Sequence, residues 1–389
     1  MPRRCPFSPP PEYERLRAAG PLARVSFLDG PVWVVTRQAE ARRLLTDPRF
    51  STDPSTPGHP LAGFAGSADE QAGQFLDMDP PEHGRYRRMV IPDFSVKRVR
   101  EMRPRIQRVV DRLVDDMLRG DGADLVTAFG LPLASLMICQ ILGVPYEDHD
   151  YFHRCTRRIA EASGEGAEQE TAAARTELIT YLGTLVDRAA RHPGDDIVSR
   201  LAATRLATGE LSRDELVGIA FLLLVAGHQT TANMLPLGVF TLLSHPAQLA
   251  DLTADPGLWP GAVEELLRFH SVVDWAAFDR VATEDVELGG QVIRAGEGIF
   301  VLGASANRDE LVYERPDEFD VHRGTRHHLA FGYGFHQCLG QHLARAELEI
   351  GLRTLFERIP SIRLAVGPDE LPFKYENRTF GLYRLPVTW

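Results

Sequence analysis

Between Leu216 and Gly227 the chain runs LVGIAFLLLVAG, twelve residues without a charge or a polar side chain. Ser212 and Glu215 just before it have the spacing of a capping box, and Asp214 complements the positive end of a helix dipole. A helix that is apolar on every face must be buried, so this one belongs at the centre of a helical core. The run is too short to span a bilayer and ends in His228 and Gln229. Gly227, His228, Gln229, Thr230, Thr231 and Asn233 then break the apolar surface. Two readings follow. The polar groups line a cavity, or the hydroxyls bond back to the preceding turn in a core helix that kinks near Pro236.

Helical periodicity dominates the rest of the chain. From Val96 to Arg119, the residues Val99, Met102, Ile106, Val109, Leu113 and Met117 form one stripe. Helices are expected at 131–142, 147–163, 168–192 and 212–244, in a segment ending at Phe269, and from near Gly340 to Arg358. Gln38 to Asp47 reads as a short helix. Strand signals are fewer: a hairpin over Arg24–Thr36 turning at Asp29-Gly30-Pro31, pieces between 272 and 303, and short strands at the end. Residues 1–20 read as an extended, Pro-rich lead-in and 48–75 as a long loop. No internal repeat or long linker divides the chain. The expectation is a mainly α fold with a small β part, as one domain over 1–389.

The 389 residues include 43 basic and 54 acidic side chains, a net charge of −11 that argues against wholesale nucleic-acid binding. Four scattered cysteines make a disulfide framework unexpected. The N-terminal MPRRCPFSPPPEYERL lacks the apolar stretch of a signal peptide, so a cytoplasmic protein without membrane attachment is expected.

Three stretches carry chemistry. In FGYGFHQCLG, Phe331 to Gly340, one cysteine sits among three glycines ahead of a helix. A zinc site built on His336, Cys338 and His342, with His327 or His328, fits no common ligand spacing. A nucleophile would need a base, and no carboxylate lies nearby in sequence. A single thiolate ligand to haem iron fits better. Backbone N–H groups and a helix N-terminus favour the ionised sulfur, and glycines let the backbone approach a flat ring. An inert buried cysteine is the alternative, and it leaves the glycines unexplained. DPPEHGRYRR, Asp79 to Arg88, puts His83 and Arg87 one helical turn apart, which suits a carboxylate or phosphate as well as a solvated helix start. In VEELLRF, Glu265 and Arg268 have the spacing of an ordinary surface pair.

Together with AGHQTT (226–231) and ANRDELVYERPDEFDVHR (306–323), these motifs resemble, in content and order, those of the soluble bacterial cytochrome P-450 enzymes of actinomycete type. The similarity runs from about residue 20 to 389. It implies the cytochrome P-450 fold enclosing haem b, with Cys338 as proximal ligand and Phe331, Gly332 and Ala226 beside the ring. By resemblance, His83, Arg87, Arg280 and His336 hold the haem propionates. Glu265, Arg268 and Arg323 form a buried triad behind the proximal side. Thr230 matches the alcohol that guides protons to bound O2, while Gln229 stands where the family usually has an acid. A thiolate opposite O2 favours O–O cleavage, and the implied activity is hydroxylation or epoxidation of a hydrophobic small molecule.

The electrons are expected from a ferredoxin and its reductase. Between Arg85 and Arg112 lie ten basic and three acidic residues, on the helix that such enzymes present to their donor. The expected substrate is a secondary metabolite, a macrolide or other polyketide or a terpenoid. Its pocket would be built from the loop near 51–75, helices within 145–195, Leu223–Ala226, the segment Val273–Phe278 and the turn near Phe380. Within that pocket Trp275 and Phe278 would give apolar contact, and Asp274 would meet an amine or hydroxyl. A peroxide-driven peroxygenase and a non-catalytic haem sensor are the alternatives.

Overall fold

The computed structural model describes residues 1–28, 30–62, 72–161 and 166–389. At its centre lies the Arg213–Ser244 helix, unbroken through Pro236. Its start is fixed by the capping box: Glu215 N–H donates to Ser212 Oγ at 3.1 Å and Ser212 N–H to Glu215 Oε2 at 2.5 Å. By length and composition this helix could cross a membrane, but its apolar side chains are packed inside the protein. Leu131–Leu142, Ala167–Arg191 and Gln341–Arg358 pack around it, and Val96–Met117 packs on the last of these. On Val96–Met117 the buried face is Val99, Ile106, Val110, Leu113, Val114 and Met117; Met102 and Val109 are only partly covered. The fold is mainly α with a small β part, as the periodicity indicates.

The largest sheet has five strands, in the order Leu22–Phe27, Gly30–Val35, Gly298–Val301, Asp279–Ala282 and Phe50–Ser51. Its hairpin pairs Leu22 with Val35 and Phe27 with Gly30, so Gly30 and Pro31, expected in the turn, lie in the second strand. Asp29 lies outside the described residues. Asp279–Ala282 runs antiparallel to Gly298–Val301, with Arg280 opposite Ile299.

Three expectations need correction. Residues 1–20 are not an extended lead-in: Pro11–Ala19 is a helix, its first turn opened by Pro11 with acidic Glu12 and Glu14. The segment before it is packed too. Arg3 donates to the His270 carbonyl at 2.7 Å and lies over the Phe380 ring, and Phe7 stacks on Phe240. Proline content misled because these contacts are long-range. The expected loop at 48–75 contains the Phe50–Ser51 strand and a short turn of helix beginning at Phe75, and its residues 63–71 lie outside the described ones. The helix expected at 147–163 is His149–Glu161, and 162–165 are likewise not described.

Candidate functional site

Beneath the central helix lies a cavity of about 1700 Å³. Cys338, His83, Arg87, Arg280, His336, Phe331, Gly332, Ala226, Gln229 and Thr230 all line it, although they come from four separate stretches of chain. The sequence motifs therefore converge in space. Glu265, Arg268 and Arg323 do not line it and sit behind it.

Cys338 occupies the loop that feeds the Gln341–Arg358 helix. Its own N–H donates to the Phe331 carbonyl at 2.8 Å, closing the loop. Burial pushes the thiol up, while N–H groups of Gly340 and Gln341 and the charges of Arg87 and Arg345 pull it down. The sulfur is thus surrounded by donors that suit a thiolate. Gly332 and Gly334 have φ of +67° and +73°, backbone that a side chain disfavours. At Gly334 a Cβ would also lie 2.3 Å from the Leu45 carbonyl oxygen. The zinc alternative has no geometry: His328 pairs with Glu264, and His336 stacks against His83.

On one side of the cavity four basic groups gather. The His83 and His336 rings are 4.0 Å apart between centroids, and Arg87 donates to the Gln337 carbonyl. Arg280 donates to the Asp279 carbonyl at 2.6 Å. Burial, reinforced by Arg87 and Arg280, lowers His83 to about 4; burial, with Arg280, His83 and Arg87, lowers His336 to about 2. Burial lowers Arg280 to about 10 against the pull of Asp279, Asp79 and Asp77, and lowers Arg87 as well. His83 Nε2 is buried and meets no acceptor within the protein. Crowded cations and an orphaned donor are what a buried dianion would satisfy, so these residues fit a group bearing two carboxylates with a metal for the sulfur. His83→Ala or Arg87→Ala should each remove about 1.5–3 kcal/mol of binding to such a group. The measurement is haem content after prolonged dialysis, and equal retention in the parent and both variants would discount the two positions.

Across the cavity, the Thr230 hydroxyl donates to the Ala226 carbonyl at 3.1 Å. Both readings of the polar break therefore hold at once: the hydroxyl bonds back, and the turn lines a cavity. Gln229 Nε2 donates to the Thr156 carbonyl at 3.1 Å, which ties the amide to the His149–Glu161 helix.

Behind the cysteine loop, Glu265 and Arg268 are fully buried. Two hydrogen bonds of 2.7 and 2.8 Å join them side by side. Arg323 Nε adds a third at 3.2 Å, and the Asp320 N–H a fourth at 3.0 Å. Arg268 also donates to the Asn307, Pro316 and Glu318 carbonyls, so it ties down the 306–323 segment. A surface pair would do none of this.

The pocket expectation is right in outline and wrong at two residues. Phe75, Thr156, Arg175, Leu223, Val273, Phe278 and Tyr375 all line the cavity. Asp274 does not: at φ +47° its carboxylate turns outward, accepting from Tyr13 Oη at 2.8 Å and Ala304 N–H at 2.9 Å. Trp275 faces away as well, against Phe27 and Phe300. Phe380 lies under Arg3, leaving Tyr375 to Thr379 to form the wall. In the basic run, Arg85 pairs with Glu215 and Arg103 with Glu349, while Arg100, Arg105 and Arg108 are exposed.

One ionisable group outside the motifs also lines the cavity. Glu347 lines the cavity, and burial pushes its carboxyl up to about 8 despite a hydrogen bond with Thr231. It lies on the stripe Leu343, Glu347, Ile350 and Thr354, all buried, so an acid at a core position of the helix was the available signal.

A family model described as Cytochrome P450 matches residues 258–361. Pentalenic acid synthase of Streptomyces avermitilis is 51% identical over 390 residues, covering 100% of this chain and 96% of that protein. The crystal structure of cytochrome P450 MoxA from Nonomuraea recticatena (CYP105) shares 48% identity and a TM-score of 0.91, over 100% of this chain and 97% of that one. Mycinamicin VIII C21 methyl hydroxylase MycCI from Micromonospora griseorubida, solved with mycinamicin VIII bound, shares 41% identity and a TM-score of 0.93, covering 100% and 99%. With the same fold and such identity from end to end, the chain belongs to the cytochrome P450 family and is a monooxygenase.

Proposed function

We propose that the protein inserts one oxygen atom of O2 into a hydrophobic secondary metabolite, by hydroxylation or epoxidation, at a haem b held by Cys338. The observation that carries this reading is a single cavity lined at once by the Cys338 sulfur, four basic groups and Thr230. His83, Arg87, Arg280 and His336 would bind the two propionates, and Phe331, Gly332 and Ala226 would bound the ring. Haem bound through a thiolate supplies O2 activation by two-electron, two-proton O–O cleavage.

The chain's own part is positioning and proton management. Thr230 presents a hydroxyl whose hydrogen bond to Ala226 leaves its oxygen open to a proton donor. Gln229 cannot ionise, and its amide is engaged by Thr156. Glu347, raised to about 8, keeps its proton in neutral solution beside Thr231. A protonated carboxyl on the Gln341–Arg358 helix, hydrogen-bonded to Thr231 next to Thr230, supports a route that does not need Gln229.

Relatives named for pentalenic acid and mycinamicin support a terpenoid or macrolide substrate. The exposed arginines at 100, 105 and 108 support an acidic ferredoxin as electron donor. The experiment is turnover with ferredoxin, its reductase and NAD(P)H, on substrates chosen by shifts of the haem Soret band. Thr230→Ala should lower product formed per NAD(P)H more than Gln229→Glu does, with a loss of about 10²-fold or more in the productive step if general acid assistance is gone. If Thr230→Ala couples as well as the parent, proton delivery does not use this turn. Efficient turnover with peroxide alone would then favour the peroxygenase reading.

A further inference from the structure

Next to Glu265 stands a second buried carboxylate with different partners. Glu264 accepts from Arg345 Nε at 2.6 Å and Nη2 at 3.0 Å, and its Oε2 lies 2.9 Å from His328 Nε2. Its side chain is 4% exposed, that of His328 1% and that of Arg345 23%. None of the motifs on the cavity side requires this arrangement, and an acid buried this deeply needs its partners.

Arg345 projects from the helix that follows Cys338, and its guanidinium lies over the Phe331 ring, 4.5 Å from the centroid. Phe331 in turn accepts the Cys338 N–H. Arg87, which donates to the Gln337 carbonyl, and Arg345, which donates to the Gln341 carbonyl at 3.3 Å, place a cation at each flank of Cys338. Arg87 spends its charge on the cavity side, beside His83 and His336. Arg345 does not line the cavity, and the charge it brings to the cysteine loop depends on how far Glu264 neutralises it.

We propose that Glu264 and Arg345 are positioning residues for the proximal ligand: together they hold a guanidinium over Phe331, and the balance of their charges sets the reduction potential of the haem. This rests on Cys338 being the iron ligand. Reduction of the ferric iron by one electron adds a negative charge to the site. A net positive neighbour therefore favours the reduced form and a net negative one opposes it, and both effects are strong where water is largely excluded.

The two charges can be removed separately. Glu264→Gln keeps the shape of the side chain and leaves Arg345 uncompensated, so the potential should rise. Arg345→Met keeps an apolar stem against Phe331 and leaves Glu264 uncompensated, so the potential should fall. The double variant should return towards the parent value. The measurement is a redox titration of the substrate-free holoprotein with mediator dyes at mildly alkaline pH. Burial lowers the His328 pKa, so that ring is neutral there.

Each protein is first reduced under carbon monoxide to record its long-wavelength band. Loss of that band in the parent would mean that Cys338 is not the ligand. With the band present, shifts of the same sign in both single variants, or no shift, would overturn the proposal and leave the cluster a structural brace. If Arg345→Met fails to hold haem, Glu264→Gln alone still decides: a rise supports the proposal and an unchanged or lowered potential overturns it.

Discussion

Cys338→Ser protein should fold, hold haem weakly and show no long-wavelength band when reduced under carbon monoxide. Serine occupies the same space, so the loop closed by the Cys338 N–H and the Phe331 carbonyl should survive. What changes is the acidity of the side chain. The donors around the sulfur, from Gly340, Gln341, Arg87 and Arg345, can stabilise a thiolate. The same donors cannot bring an alcohol anywhere near ionisation in neutral solution, so a strong anionic ligand becomes a weak neutral one. The band depends on that anion and should be lost entirely, together with monooxygenase turnover. A Cys338→Ser protein that kept the band would place the ligand elsewhere.

The second large effect is expected at Arg268. Its partner Glu265 is fully buried, and removing the guanidinium strands a carboxylate without water. Breaking a buried pair from one side costs about 3–5 kcal/mol. Arg268 also binds three carbonyls of the 306–323 segment, so Arg268→Ala leaves those acceptors unpaired as well. We expect little soluble haem protein from this variant. Arg323→Ala removes a single 3.2 Å bond to Glu265 and its bonds to the Glu314, Arg315 and Glu318 carbonyls, but these lie where water can replace them, so it should be milder. Thermal unfolding and haem content of the two variants would rank them, and equal losses would refute the hierarchy.

These two positions show what a sequence can and cannot reveal. The helix of Leu216 to Gly227 was legible because an all-apolar surface has only one place to go. The Glu265–Arg268 pair was not legible from spacing, since the same separation serves on any solvated helix; only the resemblance distinguished it. Asp274 was misread because the chain reverses side within a few residues. Val273 and Phe278 line the cavity, while Asp274 turns to Tyr13, 261 residues away. Glu347 belongs to no motif and is legible only as an acid that interrupts an apolar stripe. Glu264 was missed for a related reason: its neighbour Glu265 carried the motif.

Arg3 is synthesised long before its partners His270 and Phe380. Phe380 donates its N–H to the Val272 carbonyl at 2.8 Å, so one stretch of cavity wall is gripped by segments far apart in the sequence, near Arg3 and near Phe380. The central helix can settle against Leu131–Leu142 as soon as both are synthesised, through contacts of moderate range. The wall at Val272 and Val273 must wait until Phe380 has been synthesised. Closing so long a loop costs only slightly more than closing one half its length, about 0.6 kcal/mol per doubling, so the delay is one of timing more than of stability. Nascent chains of this protein therefore pass through a stage in which the core is formed and the pocket is still open along one side.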